Sequence, residues 1–183
     1  MTMDDPARGR LLISSGGLFD PNFRHTVVLL GEHDAKGSVG VVLTRPLEVT
    51  VHEAVPALAE LVEPDALLYQ GGPVEQDQPV LLAEVDDPEV LDLRVFGAVG
   101  FLTGAVPATV RTRLCRVRVF AGYAGWGPGQ LEREMAEDAW IVAEPTVDDI
   151  FTDEPDALWH RILERKGPPW STMARIPFDP STN

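Results

Sequence analysis

His25-Thr26-Val27-Val28-Leu29-Leu30-Gly31-Glu32-His33-Asp34-Ala35-Lys36-Gly37-Ser38-Val39-Gly40-Val41-Val42-Leu43 holds the pattern from which the fold can be read. Its two ends are β-branched, apolar runs, the composition of central strands. Between them Glu32-His33-Asp34-Ala35-Lys36-Gly37 is polar and closes on a glycine, so the two runs read as a hairpin. Arg45-Pro46 ends the second strand, because proline cannot donate to a central ladder. Upstream, Leu11-Leu12-Ile13 reads as a short buried strand stopped by Ser14-Ser15-Gly16-Gly17.

Downstream the pattern changes to a period near four. Thr50-Val51-His52-Glu53 has the form of a capping box, and Val51, Val55, Leu58 and Val62 recur on one helical face. Pro56 falls inside that helix, which must kink there or start later. Leu67-Leu68-Tyr69 leads into the turn Gln70-Gly71-Gly72-Pro73, and a strand is expected over 80–85. Residues 86–109 mix apolar stretches with Gly97, Gly100, Gly104 and Pro107, and have room for one or two short strands. Alternation over 115–121 predicts a strand with Cys115, Val117 and Val119 on its apolar face and Arg116 and Arg118 on the other. A glycine-rich loop, a helix over 130–139 and a strand at Trp140-Ile141-Val142-Ala143 follow. A last helix opens near Glu154-Pro155 and closes at Lys166-Gly167, burying Leu158, Trp159, Ile162 and Leu163. This order of elements is α+β: one compact domain over 1–183, with a mixed, mostly antiparallel sheet that could curl into a barrel-like form, flanked by helices. The ends, about 1–8 and 177–183, are expected to fray.

Composition narrows the function classes. The chain has 183 residues, 44% of them hydrophobic, enough for a substantial core. Fifteen Lys and Arg against 29 Asp and Glu give a net charge of −14, which repels phosphate backbones and disfavours nucleic-acid binding. A single cysteine, Cys115, excludes a disulfide framework and a cysteine-rich zinc site. No apolar run approaches the roughly 20 residues that a spanning helix needs, and the acidic start lacks the form of an export signal. The expected compartment is the cytoplasm, away from membranes.

Few residue groups suggest chemistry. Gly122-Tyr123-Ala124-Gly125-Trp126-Gly127-Pro128-Gly129-Gln130-Leu131-Glu132 reads either as an anion seat at a helix start or as a tight structural corner. It has neither P-loop nor dinucleotide spacing, and Glu132 and Glu134 would oppose an anion, which favours the corner. Asp20, Arg24, His25 and Thr26 gather around an Asp-Pro-Asn turn, where turn chemistry outweighs acid–base work. His25, Glu32, His33 and Asp34 lack metal-ligand spacing, so no metal and no cofactor are expected. Cys115, in an apolar strand, is expected to be buried and inert, and no G-x-S-x-G elbow surrounds Ser14 or Ser15. Arg111, Arg113, Arg116 and Arg118 form a basic cluster. It would meet either an acidic partner or this chain's own acids Asp148, Asp149, Asp153, Glu154 and Asp156, and the internal pairing is favoured.

Four blocks together resemble the AlgH/YqgE family of small bacterial proteins. They are Leu11-Leu12-Ile13 with Asp20-Pro21-Asn22-Phe23, Gly37 to Pro46 continuing to Leu47, Gly71-Gly72-Pro73-Val74, and the long glycine-rich block from Gly122 to Glu132. The resemblance implies an α+β fold around a mixed sheet in a cytosolic protein. It also brings a link to transcriptional regulation of alginate production, with no reaction and no DNA-binding motif attached. The chain departs from the family pattern over about 86–112, where relatives carry a clear helix.

Two functions compete on these grounds. One is a non-enzymatic regulatory or adaptor protein acting through a protein partner or a small ligand. Its candidate ligand-binding residues are Asp20, Asn22, Arg45, Gly72, Tyr123, Gly125, Trp126 and Gln130, with Arg45 and Gln130 as donors and Tyr123 and Trp126 as walls. The other is an enzyme on a small phosphate- or carboxylate-bearing substrate, seated after Gly129 with Asp20 or His25 as base. A DNA-binding regulator ranks third, since the charge opposes it.

Overall fold

The computed structural model describes residues 8–15 and 25–175. The hairpin forms as expected: β2 (Val27–Asp34) pairs antiparallel with β3 (Gly37–Val42). Its register shifts between Leu30 and Glu32, and a side chain at Gly31 would meet the Phe101 ring. β1 (Leu11–Ser14) lies between β2 and β10 (Trp140–Ala143), antiparallel to both.

The apolar run of β2 is continuous because both faces are covered. Val27 and Leu29 join Leu11 and Ile13 under α5 (Pro155–Lys166), whose Leu158, Trp159, Ile162 and Leu163 are all buried. Val28 and Leu30 face the other way, with Leu12, Val42, Trp126 and Leu131. Such two-sided burial removes the alternation that a half-exposed strand would show. Two further short helices, α4 (Val147–Ile150) and α6 (Trp170–Arg175), flank α5 in sequence.

A third core lies under the segment expected to be helical. Thr50 caps α1 (Val51–Ala54) and accepts from the Glu53 N–H at 3.2 Å, but the helix stops there. Pro56 starts a separate 3₁₀ segment, Pro56–Leu61, so the proline divides the helix instead of kinking it. These pieces cover Leu81, Ala83, Val85 and Val119.

Around them run β4 (Pro46–Thr50), β5 (Leu67–Gln70), β6 (Val74–Val85), β7 (Leu93–Phe96), β8 (Val99–Leu102) and β9 (Leu114–Trp126). The main sheet has the order β10-β1-β2-β3-β9-β6-β8-β7, with β4 and β5 branching from it. All pairings are antiparallel except β5 with β9. The sheet ends in two open edges and does not close into a barrel.

Of four further expectations three change, while the short strands expected within 86–109 are present as β7 and β8. The stretch from Gly122 to Trp126 is the end of β9, not a loop, and only Gly127-Pro128-Gly129 turns the chain into α3 (Gln130–Ala136). That helix ends short of 139. Residues 86–112 fold as a 3₁₀ turn at Pro88–Val90, the β7–β8 hairpin and α2 (Ala108–Arg111). Cys115 is exposed, because it stands near the start of β9 where α1 and the 3₁₀ segment no longer cover the sheet. Of the segments expected to fray, all but Arg8 lie outside the described residues, as do Asp20, Asn22 and Arg24.

Candidate functional site

Three of the four sequence blocks meet where β9 changes partners. Along one edge β9 pairs with β6, and along the other with β5 at Phe120–Ala121 and with β3 from Ala124 to Trp126. Gly71 fills the junction: its N–H donates to Ala121 and its carbonyl accepts from Val42 N–H, both at 2.9 Å. The Gln70 N–H donates to the carbonyl of Arg45 at 2.8 Å. A Cβ at Gly71 would stand 2.2 Å from the Gly122 carbonyl oxygen, and one at Gly72 2.1 Å from that of Tyr123. Backbone here lies directly on backbone, which only glycine allows.

The side chains then leave this junction in different directions. Arg45 donates to the buried Thr26 hydroxyl at 3.3 Å. Gly125 faces Val39 across the β3–β9 ladder, half on the solvent side. Trp126 is buried, and its indole N–H donates to Glu134 at 3.1 Å. The Trp140 indole N–H and the Gln130 amide donate to the same carboxylate at 2.8 and 2.9 Å. Gln130 also accepts from the Gly127 N–H at 3.0 Å, which closes the turn. The corner is therefore knitted around an acid, which opposes an anion at this helix start. Tyr123, one residue out of phase with Trp126, points to the opposite face of β9.

His25 stands elsewhere. It adopts a left-handed φ of 46° and stacks on Trp159 with centroids 4.2 Å apart. His33 lies at the far end of β2, with Nε2 3.4 Å from Glu132 and Nδ1 2.6 Å from the Ser38 hydroxyl. His25 precedes β2 and His33 stands near its end, eight chain positions on, a reach of at most about 26 Å. The start of α3 sits beside His33, out of reach of His25. Among the described residues no three His, Cys, Asp or Glu side chains converge as a metal would need.

The arginine cluster pairs within the chain. Arg111 meets Glu60 at 2.6 Å, Arg113 meets Asp86 at 3.6 Å, and Arg116 bridges Glu84 and Asp148 at 3.0 and 3.1 Å. Of the acids foreseen for it, Asp148 forms an ion pair and Asp153 stands near enough to Arg118 to act on its charge; Asp149 is buried and pairs with Arg165 at 2.8 Å. Arg118 donates to the Thr152 carbonyl at 2.8 Å and lies 4.5 Å over the Tyr69 ring. Burial lowers the Arg118 pKa and raises that of the Tyr69 phenol, the latter against the pull of the neighbouring guanidinium. Both line a polar cleft of about 580 Å³ with Cys115, Arg116, Asp153 and the acids Glu60, Glu63 and Asp65. Among the described residues no histidine borders it, so Cys115 has no imidazole base in the cleft.

A second cavity, of about 680 Å³, has the opposite character. Its floor is Val39, Val41, Val80 and Tyr123, and its sides are Leu58 and Leu61 of the 3₁₀ segment, Phe101 and Leu102 of β8, and the 103–106 loop. Among the described residues Arg111 is the only charged one in its wall. Of the described candidates from the sequence, Tyr123 alone lines it. Sequence reasoning missed the rest because the wall comes from eight separate stretches of the chain. The available signals were Pro56, which divided the helix, and the illegible stretch 97–107.

The described residues define an α+β class: one open, mostly antiparallel sheet flanked by helices. The chain belongs to the AlgH-like family, whose model matches residues 11–171. It is 40% identical over 190 residues to a UPF0301 protein of Streptomyces avermitilis, covering all of this chain and 98% of that protein. A UPF0301 protein of Streptomyces coelicolor is 41% identical over 190 residues, with the same coverage. Among solved structures, a protein from Corynebacterium diphtheriae matches with a TM-score of 0.86 at 26% identity, over 96% of this chain and 95% of that one. The solution structure of the AlgH protein from Pseudomonas aeruginosa matches with a TM-score of 0.71 at 26% identity, over 98% and 100%. Among the described residues no helix is long and apolar enough to cross a membrane.

Proposed function

We propose that this protein is a non-enzymatic regulatory or adaptor protein that acts by holding a small apolar ligand in the cavity between the 3₁₀ segment, β6 and β8. One observation carries the reading. Among the described residues the wall holds no Asp, Glu, His, Cys, Lys or Ser, so the Thr103 and Tyr123 hydroxyls have no general base in it to activate them near neutral pH. A cavity of this size and lining suits retention of a ligand. A lone, exposed Cys115 suits a reducing, cytoplasmic compartment.

The rival enzyme on a small anion has less support. At its anion seat Gln130 already takes the Gly127 N–H and the Glu134 carboxylate stands close by, while His25 lies at the opposite end of β2 from His33, which sits beside α3. Direct DNA binding has less still, because the arginines that would carry it are engaged by carboxylates, a carbonyl and a ring of this chain.

Titration with a neutral, environment-sensitive fluorophore such as N-phenyl-1-naphthylamine tests the reading. The expected result is saturable enhancement at one site per chain, abolished by Val80→Trp, which fills the cavity, with the thermal midpoint kept. No enhancement, or enhancement that Val80→Trp leaves unchanged, would remove the cavity as the functional site.

A further inference from the structure

We infer that the ligand is a single-chain alkyl carboxylate, with its hydrocarbon tail against Val41, Val80, Phe101 and Tyr123 and its carboxylate on Arg111. The inference rests on the cavity reading above and adds the chemical class. The wall offers almost no hydrogen-bond partners: Gln78 and Thr103 stand at its edges, and the floor is aliphatic and aromatic. Heteroatoms buried there would lose their water without replacement, so the buried part of the ligand must be hydrocarbon.

The head group follows from the charge. Arg111 is the single cation of the wall, and no carboxylate shares the lining with it. Its Nε donates to the Val106 carbonyl at 3.1 Å, which fixes the guanidinium plane at the mouth. Its Nη1 meets Glu60, whose side chain is 81% exposed. An ion pair so open to water is weak and readily exchanged. A guanidinium offers parallel N–H donors matched to a carboxylate, so an incoming monoanion can share or displace Glu60. With a chain charge of −14, a polyanion such as a nucleotide triphosphate would meet repulsion that one arginine cannot offset.

The deciding experiment is displacement of the neutral fluorophore by octanoate, decanoate and dodecanoate below their micellar concentrations, against the matched alcohols, at neutral pH. Each methylene removed should weaken binding about fourfold, and each carboxylate should bind about tenfold tighter than its alcohol. Arg111→Gln should erase the carboxylate advantage and leave the alcohols unchanged. Glu60→Gln should strengthen carboxylates a few-fold, since it removes a competing anion. Both positions are exposed, and thermal midpoints verify that each variant folds. Alcohols and carboxylates displacing equally, or an advantage that survives Arg111→Gln, would overturn the head-group assignment while leaving the cavity reading in place. Displacement by amphipathic peptides but by no alkyl compound would overturn it in favour of a protein partner. A fluorophore that never binds would overturn both.

Discussion

The junction at Gly71, Gly72, Gly122 and Tyr123 and the cavity beside it share β9, yet they are built on opposite principles. At the junction, backbones touch, glycines are obligatory, and the adjoining corner directs two indoles and an amide onto one carboxylate. In the cavity, eight separate stretches of the chain leave about 680 Å³ open between them. The residues most conspicuous in the sequence thus serve to hold the sheet together. Apart from Val39 to Val41 and Tyr123, the open space is lined by residues outside every motif. A motif is conspicuous when geometry permits one residue type, and an apolar wall permits many.

The largest effect should come at the junction. Gly72→Val places a side chain on the Tyr123 backbone, and the expected loss is at least about 4 kcal/mol, read by urea denaturation or as failure to accumulate as folded protein. A mild loss would mean the junction yields, and the contrast with the cavity would disappear. Next, Glu134→Ala leaves the donors of Trp126, Trp140 and Gln130 without this acceptor, for an expected loss of about 2–3 kcal/mol. Near-UV circular dichroism should change with it, since the two indoles lose their common anchor.

Asp149 belongs to neither region and calibrates the scale. Burial works to raise its pKa, but hydrogen bonds from Arg165 and Thr146 outweigh this and hold it below the ordinary carboxylate value. A carboxyl whose native pKa is depressed contributes its full stability above about pH 4 and loses it as the pH falls through the lower native value. Asp149→Asn should cost about 2 kcal/mol at pH 7 and progressively less below about pH 4, as read from denaturation midpoints against pH. A cost that stays constant down to pH 2 would show that the charge contributes nothing. The smallest effect is expected at the cavity wall, where Leu58→Ala removes atoms that already border open space. A loss of about 1 kcal/mol or less, well under that of a fully buried leucine, is the expected outcome of thermal or urea unfolding.

How much was legible in the sequence followed from how local the determinants are. The β2–β3 hairpin and α5 were readable from runs and caps: Pro155 stands at the first helical position and Gly167 just past the end. β10 was readable as a short apolar run. β6 was half seen, because its first residues, Glu75 to Pro79, are polar and exposed and lack any alternation. The β7–β8 hairpin was obscured by Gly97 and Gly100. A Cβ at Gly100 would stand 2.3 Å from the Leu93 carbonyl oxygen, so that glycine marks strand packing and not a break. Of the site, Tyr123 was named for its place in a motif, and Arg111 only as one of a basic cluster. Nothing local ties Arg111 to Val41 or Phe101; tertiary folding alone brings them together.

The pairing of β1 with both β2 and β10 has a consequence for how the chain is made. Leu11–Ser14 are synthesised well before the strand that covers their outer edge, which is complete only at Ala143. At about 5–20 residues per second, some 130 residues of synthesis leave that edge without its partner for about 6–26 seconds. During that interval the nascent chain presents an apolar, hydrogen-bond-hungry strand to its surroundings, and any species that binds extended apolar segments has its opportunity then.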